Sequence, residues 1–193
     1  MRIIAGEWRG CAIAAPKGDA TRPTIDRIRE SLMSSLYFIL DSFDDVTVLD
    51  AFAGSGALGL EALSRGAKQA WFYEMNPQSH ATLTGNIQKV HCQEGRAVVR
   101  KTDVLAHPPL GGHEPFGLVM LDPPYAMDPA QVFGLLEALD EAGALASYVT
   151  ISYEHSRDTD LTPFFAASSV KWDSMQTKTY GEIAIDIFGK AEE

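Results

Sequence analysis

Val46-Thr47-Val48-Leu49-Asp50-Ala51-Phe52-Ala53-Gly54-Ser55-Gly56-Ala57-Leu58-Gly59 reads as a short apolar strand over Val46–Leu49, then a glycine loop, then a helix over Ala57–Ser64 that Gly66 ends. Gly54 and Gly56 remove Cβ where the chain turns sharply and a ligand can press on the backbone. The helix that follows starts with unpaired N–H groups. Gly54–Gly59 also matches the G-x-G-x-x-G spacing of dinucleotide sites. However, Asp50-Ala51-Phe52-Ala53 stands between the strand and the first glycine. An acid at the strand tip repels pyrophosphate and suits an ammonium, directly or through water. A ligand joining an amino acid to a nucleoside fits better than a dinucleotide.

Outward from this segment, strands and helices alternate. Strands are predicted over Ala70–Tyr73, Ala97–Arg100, Leu118–Leu121 and Tyr148–Ser152. Helices run from Pro77 to about Val90 and over Ala130–Leu139. This pattern predicts an α/β fold, Rossmann-like, with a mostly parallel sheet covered on both faces. Val170–Asp173 and Glu182–Phe188 follow as strands with no helix between them, which predicts an antiparallel C-terminal edge. Upstream, residues 2–5 and 11–15 read as a β-hairpin around a Glu7–Gly10 turn. Pro16–Thr24 reads as loop, and Thr24 or Asp26 caps a helix to about Leu40. Two units are expected: an N-terminal hairpin and helix over 1–41, and the main domain over 42–193. Ligands of such sheets sit beyond the carboxyl ends of the strands at the switch point. The loops after Leu49, Tyr73, Arg100 and Leu121 are therefore the ones to read for chemistry.

The 193 residues are 46% hydrophobic and contain no run of the ~20 apolar residues needed to span a bilayer. Glu7, Trp8 and Arg9 interrupt any leader pattern, so a cytoplasmic protein is expected. Cys11 and Cys92 lack metal or CxxC spacing and read as free thiols. The five histidines form no cluster, and no metal is expected. The net charge of −10 argues against non-specific nucleic-acid binding. Its distribution is uneven. Arg2, Arg9, Lys17, Arg22, Arg27 and Arg29 outnumber Glu7, Asp19, Asp26 and Glu30 in the first thirty residues, giving +2 there and −12 elsewhere.

Glu74 at the end of the second strand can accept hydrogen bonds from both hydroxyls of an unphosphorylated ribose. Asp103, with the Val104 backbone beside it, is placed to receive an adenine amino group. Asp122-Pro123-Pro124-Tyr125 follows the fourth strand. Its prolines stiffen the loop, and Tyr125 offers a flat surface on which a base can stack. Asp122 and the Pro123 carbonyl can accept both hydrogens of an aromatic amine. That favours the tetrahedral nitrogen, whose lone pair is free to attack a methyl sulfonium.

These segments resemble the class I S-adenosylmethionine methyltransferases. Arg2-Ile3-Ile4-Ala5-Gly6, Arg9-Gly10, Arg22-Pro23-Thr24-x-Asp26-Arg27-x-Arg29-Glu30, the glycine loop and Asp122–Tyr125 stand in the order of one bacterial family. It is the 16S ribosomal RNA guanine-N2 methyltransferases, the RsmD family. The resemblance implies a seven-stranded sheet, S-adenosyl-L-methionine as cofactor, and 16S rRNA within an assembled or assembling small subunit as partner, with a monomeric enzyme. It implies cofactor binding by Arg22, Thr24, Asp50, Phe52, Ala53, Gly54, Ser55, Gly56, Glu74, Met75, Asp103 and Val104. Asp122, Pro123, Pro124 and Tyr125 would hold the target guanine, and Arg2, Arg9 and Arg27 would touch RNA. Adenine-N6 methylation on DNA or RNA is the alternative, since that chemistry uses a similar loop.

Overall fold

The computed structural model describes residues 1–15 and 23–191, with only the backbone given for Pro23, Thr24 and Ile25. After the N-terminal segment comes α1 (Pro23–Leu40), then β1 (Thr47–Asp50), α2 (Ala57–Ser64), β2 (Gln69–Tyr73), α3 (Pro77–Lys89) and β3 (Ala97–Arg100). The second half holds β4 (Phe116–Leu121), α4 (Pro129–Glu141), β5 (Leu145–Ser156), α5 (Thr162–Ala167), β6 (Trp172–Tyr180) and β7 (Ile183–Lys190). The strands form one seven-stranded sheet in the order β3-β2-β1-β4-β5-β7-β6. Pairings from β3 through β5 are parallel, whereas β7 is antiparallel to both β5 and β6. This is the class I methyltransferase architecture expected from the sequence. The strand order reverses between β1 and β4.

Strand alternation divides the core into two layers. Val48, Ala70, Phe72, Leu118, Met120, Ile185 and Ile187 face one side, where α1, α2 and α3 cover them. Leu49, Trp71, Val119, Leu121, Ile151 and Phe188 face the other, against α4. Ile3, Trp8 and Ile13 of the N-terminal segment share the first layer with Ile28, Leu32 and Leu36 of α1. The 1–41 segment thus packs into the same core as the sheet. On its other side, Ser31 of α1 accepts the Lys178 ammonium at 2.9 Å and the Tyr180 hydroxyl at 2.6 Å, tying the helix to β6.

Three details depart from the sequence reading. The N-terminal hairpin has no regular strands, only one antiparallel bridge between Arg2 and Ala12. Besides the hairpin's own bonds, Ile3 N–H to the Cys11 carbonyl and Ile13 N–H to the Met1 carbonyl, its backbone is satisfied by buried side chains of α2 and α3. Glu61, fully buried, accepts the Ile4 and Ala5 N–H groups, Ser64 accepts that of Trp8, and Asn86 pairs with both polar groups of Ala14. Secondly, β6 extends far beyond Asp173, because a polar edge strand exposed along Asp173–Thr177 carries no apolar period. Thirdly, α5 lies between β5 and β6, a stretch to which the sequence reading gave no element, whereas β6 and β7 follow one another with no helix between them as expected. The six residues of α5 are too few to display a helical repeat.

Candidate active site

Parallel register brings the chemical loops to one edge of the sheet. Asp50 is opposite Met120 on one side and Phe72 on the other, so the chain segments leaving β1, β2 and β4 emerge side by side. Glu74 ties two of them together. Its carboxylate accepts the Gly54 N–H at 2.8 Å and the Asn76 N–H at 2.6 Å. Each oxygen keeps a further lone pair for a ligand hydroxyl.

Asp50 is 2% exposed and accepts the Gly59 N–H at 2.9 Å, in the first turn of α2. Burial pushes its carboxyl up to about 7, against the Gly59 hydrogen bond, with the charge of Glu74 adding to the rise. The protein's own carboxylate therefore sits at the helix start where a dinucleotide would place pyrophosphate. A cationic group set against Asp50 would offset its desolvation, and a neutral or anionic one would not. Gly59 is required here, since a Cβ would lie 2.2 Å from the Phe72 ring and 3.0 Å from the Asp50 carboxylate.

Two adjoining cavities open at this edge. The first, about 570 Å³, is lined by Phe52, Gly54, Glu74, Met75, Asp103, Val104 and the whole of Asp122–Tyr125. The second, about 340 Å³, is lined by Asp50, Ala53, Ser55, Arg29, Leu32 and Glu154, and it shares Phe52, Gly54, Asp122 and Tyr125 with the first. Asp103 accepts the Leu105 N–H at 2.9 Å, which orients the turn after β3. Pro123 is buried while Asp122, Pro124 and Tyr125 are exposed at the cavity mouth. The Tyr125 hydroxyl donates to Glu154 at 2.9 Å, and burial together with the Glu154 charge pushes its ionisation up.

Of the expected cofactor residues, Gly56 lines neither cavity. It has φ +80°, and a Cβ there would lie 2.3 Å from Leu83, which makes it a turn and packing position. Arg22 and the side chain of Thr24 lie outside the described residues. Arg2, Arg9 and Arg27 come together, lining a separate cleft of about 420 Å³ that Asp26 and Glu30 also border. Arg29 joins the two regions. It borders the second cavity and donates to the Arg2 carbonyl at 2.6 Å and to Asp26 at 3.0 Å.

Sequence reasoning missed Arg29 and Glu154 as site residues. Arg29 is a cation beside the Ile28-Leu32-Leu36 stripe, an unusual place unless paired. Glu154 was legible only by extending β5 past Ser152. Tyr153 pairs with Leu121, so Glu154 lies beside Asp122.

The sheet order, the acidic strand tip and the loops gathered at the switch point define a protein of the class I methyltransferase fold. Within that class, the family model described as conserved hypothetical protein 95 matches residues 1–189, and the chain belongs to that family, the RsmD family its sequence resembles. It is 33% identical to ribosomal RNA small subunit methyltransferase D of Haemophilus influenzae (strain ATCC 51907 / DSM 11121 / KW20 / Rd) over 97% of this chain and 93% of the relative. The protein of the same name from Escherichia coli (strain K12) is 34% identical over 97% and 89%. A solved structure of the Escherichia coli yhhF protein superposes with a TM-score of 0.79 at 31% identity, covering 100% of this chain and 99% of the other.

Proposed function

We propose that the chain transfers a methyl group from S-adenosylmethionine to the exocyclic N2 of a guanine in 16S rRNA of the small ribosomal subunit. The observation that carries this reading is the shared cavity wall: Asp122 and Tyr125 border the same space as Gly54 and Phe52 of the glycine loop. The names of the relatives support ribosomal RNA of the small subunit as the substrate. The resemblance of the Arg22–Glu30 segment to the guanine-N2 family supports guanine N2 over adenine N6.

In this reading Asp50 faces the amino-acid end of the cofactor, Glu74 the ribose and Asp103 the adenine. When bound, S-adenosylmethionine supplies an electrophilic methyl, and its sulfur keeps the electron pair as the nitrogen–carbon bond forms. Tyr125 stacks on a base that is flipped out or already unpaired. Asp122 and the Pro123 carbonyl accept the amine hydrogens and turn the lone pair toward the methyl. Alignment is the main source of rate. The methylated nitrogen is acidic and sheds its proton to water without a strong base. Arg2, Arg9 and Arg27 contact RNA phosphates, and residues 1–41 act as the RNA-contacting extension of the 42–193 methyltransferase domain.

The test is incubation with radiolabelled S-adenosylmethionine and small subunits lacking the modification, followed by mapping of the labelled nucleotide. Label on guanine N2 of 16S rRNA is expected. Label on adenine N6, or on neither, would overturn the assignment.

A further inference from the structure

A second carboxylate stands beside the proposed amine clamp. The β4–β5 register pairs Leu121 with Tyr153, which sets Glu154 next to Asp122 at the strand ends. Glu154 borders the cavity that Asp122, Tyr125 and Gly54 also line, and one of its oxygens accepts the Tyr125 hydroxyl at 2.9 Å. That bond fixes the carboxylate relative to the ring on which the base would stack. It also leaves acceptor capacity, since a carboxylate offers about four lone-pair sites.

The edges of the candidate bases differ in what they ask of this wall. Guanine presents its N2 amine and its N1–H side by side, two adjacent donors. Adenine presents an amine beside a bare N1, a donor next to an acceptor. A clamp that only grips an amine cannot tell them apart. A second anionic acceptor can, because it binds the guanine N1–H and repels the adenine N1 lone pair.

We propose that Glu154 is the residue that selects guanine, its carboxylate accepting the base N1–H while Asp122 and the Pro123 carbonyl hold the N2 hydrogens. This rests on the guanine-N2 reading of the site. Burial pushes the Glu154 carboxyl up, against the Tyr125 hydrogen bond and the charge of His155. A further donor from the base would help to hold the ionised form there.

The experiment uses small subunits reconstituted with ribosomal RNA carrying either guanosine or 2-aminopurine riboside at the methylated position. 2-Aminopurine keeps the amine but has a bare N1. Wild-type enzyme is expected to prefer guanine in kcat/KM by ~100-fold or more. Glu154→Gln keeps an oxygen for the Tyr125 hydroxyl and offers an N–H to a bare N1. The preference should shrink by at least ~10-fold, through loss on guanine and gain on 2-aminopurine. Comparing this ratio between wild type and variant cancels the intrinsic reactivity of the two amines. Tyr125→Phe, which removes the hydroxyl and spares the carboxylate, should lower both rates and keep the preference for guanine.

Equal use of the two bases by the wild type would overturn the proposal without any variant. So would a Glu154→Gln enzyme that loses activity on both bases in proportion, which marks Glu154 as a support for Tyr125 alone. Failure of the underlying reading looks different: the wild type would then leave guanine N2 unlabelled in unmodified RNA.

Discussion

Asp50 and Asp122 are both carboxylates at strand ends, but one is buried and the other exposed. Asp122 is exposed at the cavity mouth, on the loop stiffened by Pro123 and Pro124. Asp122→Ala should lower turnover by on the order of 100-fold or more, while binding of S-adenosylhomocysteine, measured by calorimetry, changes little. Asp50 is buried, and its carboxyl moves from an ordinary 3.8 to about 7 on folding. Folding therefore favours the protonated acid. The associated stability is complete below pH 4 and is lost as the pH rises through 7, by ~4 kcal/mol at most. Thermal melts of the ligand-free protein should show Asp50→Asn gaining on the wild type at pH 8 and losing that advantage near pH 4. A bound ammonium reverses the effect by favouring the ionised form. S-adenosylhomocysteine carries such a group, so its binding near pH 7 should release protons, read as a heat that depends on the buffer's ionisation enthalpy. A buffer-independent heat would mean that no cation meets Asp50. Both aspartates were legible as strand-end acids in the sequence. The burial that separates them was not, because it is imposed by α2 and by the strands on either side of β1.

The N-terminal segment and the C-terminal strands show how elements are held where periodicity is silent. Gly6 has φ +84°, and a Cβ there would fall 1.8 Å from the Ser64 carbonyl oxygen, so the chain meets α2 in direct backbone contact. Gly6→Ala should cost ~2 kcal/mol or more in urea unfolding. It should also displace Met1, which borders the second cavity, and so weaken ligand binding. At the other end, Asp186 of β7 accepts His155 of β5 at 2.8 Å and the Thr177 hydroxyl of β6, joining three strands. Burial raises the Asp186 carboxyl, but the hydrogen bonds from His155 and Thr177 and the charge of His155 outweigh it, so it lies below its ordinary value. A depressed carboxyl stabilises above its unfolded pKa and loses that contribution as the pH falls through its folded value. Asp186→Asn should therefore lower the melting temperature at pH 7, with the gap to wild type closing in acid. A gap constant from pH 7 to pH 3 would show that the carboxylate charge contributes nothing.

Across the whole molecule, charge is segregated. The chain carries −10, yet Arg2, Arg9 and Arg27 gather in one cleft bordered by Asp26 and Glu30. Local cations on an acidic body favour a partner of matching shape over any polyanion. Methylation of small subunits should accordingly exceed that of a short naked oligonucleotide spanning the same site, and equal rates would count against shape recognition. Replacing Arg2, Arg9 and Arg27 by alanine should weaken subunit binding and flatten its salt dependence, by about one in logarithmic slope for each phosphate no longer neutralised. The sequence by itself determined the parallel core, the glycine turn, the acids at the strand tips and the rigid Asp122–Tyr125 loop. Each is written in local order, as an apolar period, a missing Cβ, or a proline beside a chemical group. Only the tertiary structure decided that β7 inserts between β5 and β6, that Glu154 stands by Asp122, and that the N-terminal segment is held by side chains of α2 and α3. Those relations arise from strand pairing and from buried polar groups such as Glu61 and Asn86. Their partners are distant in the chain, so no local pattern announces them.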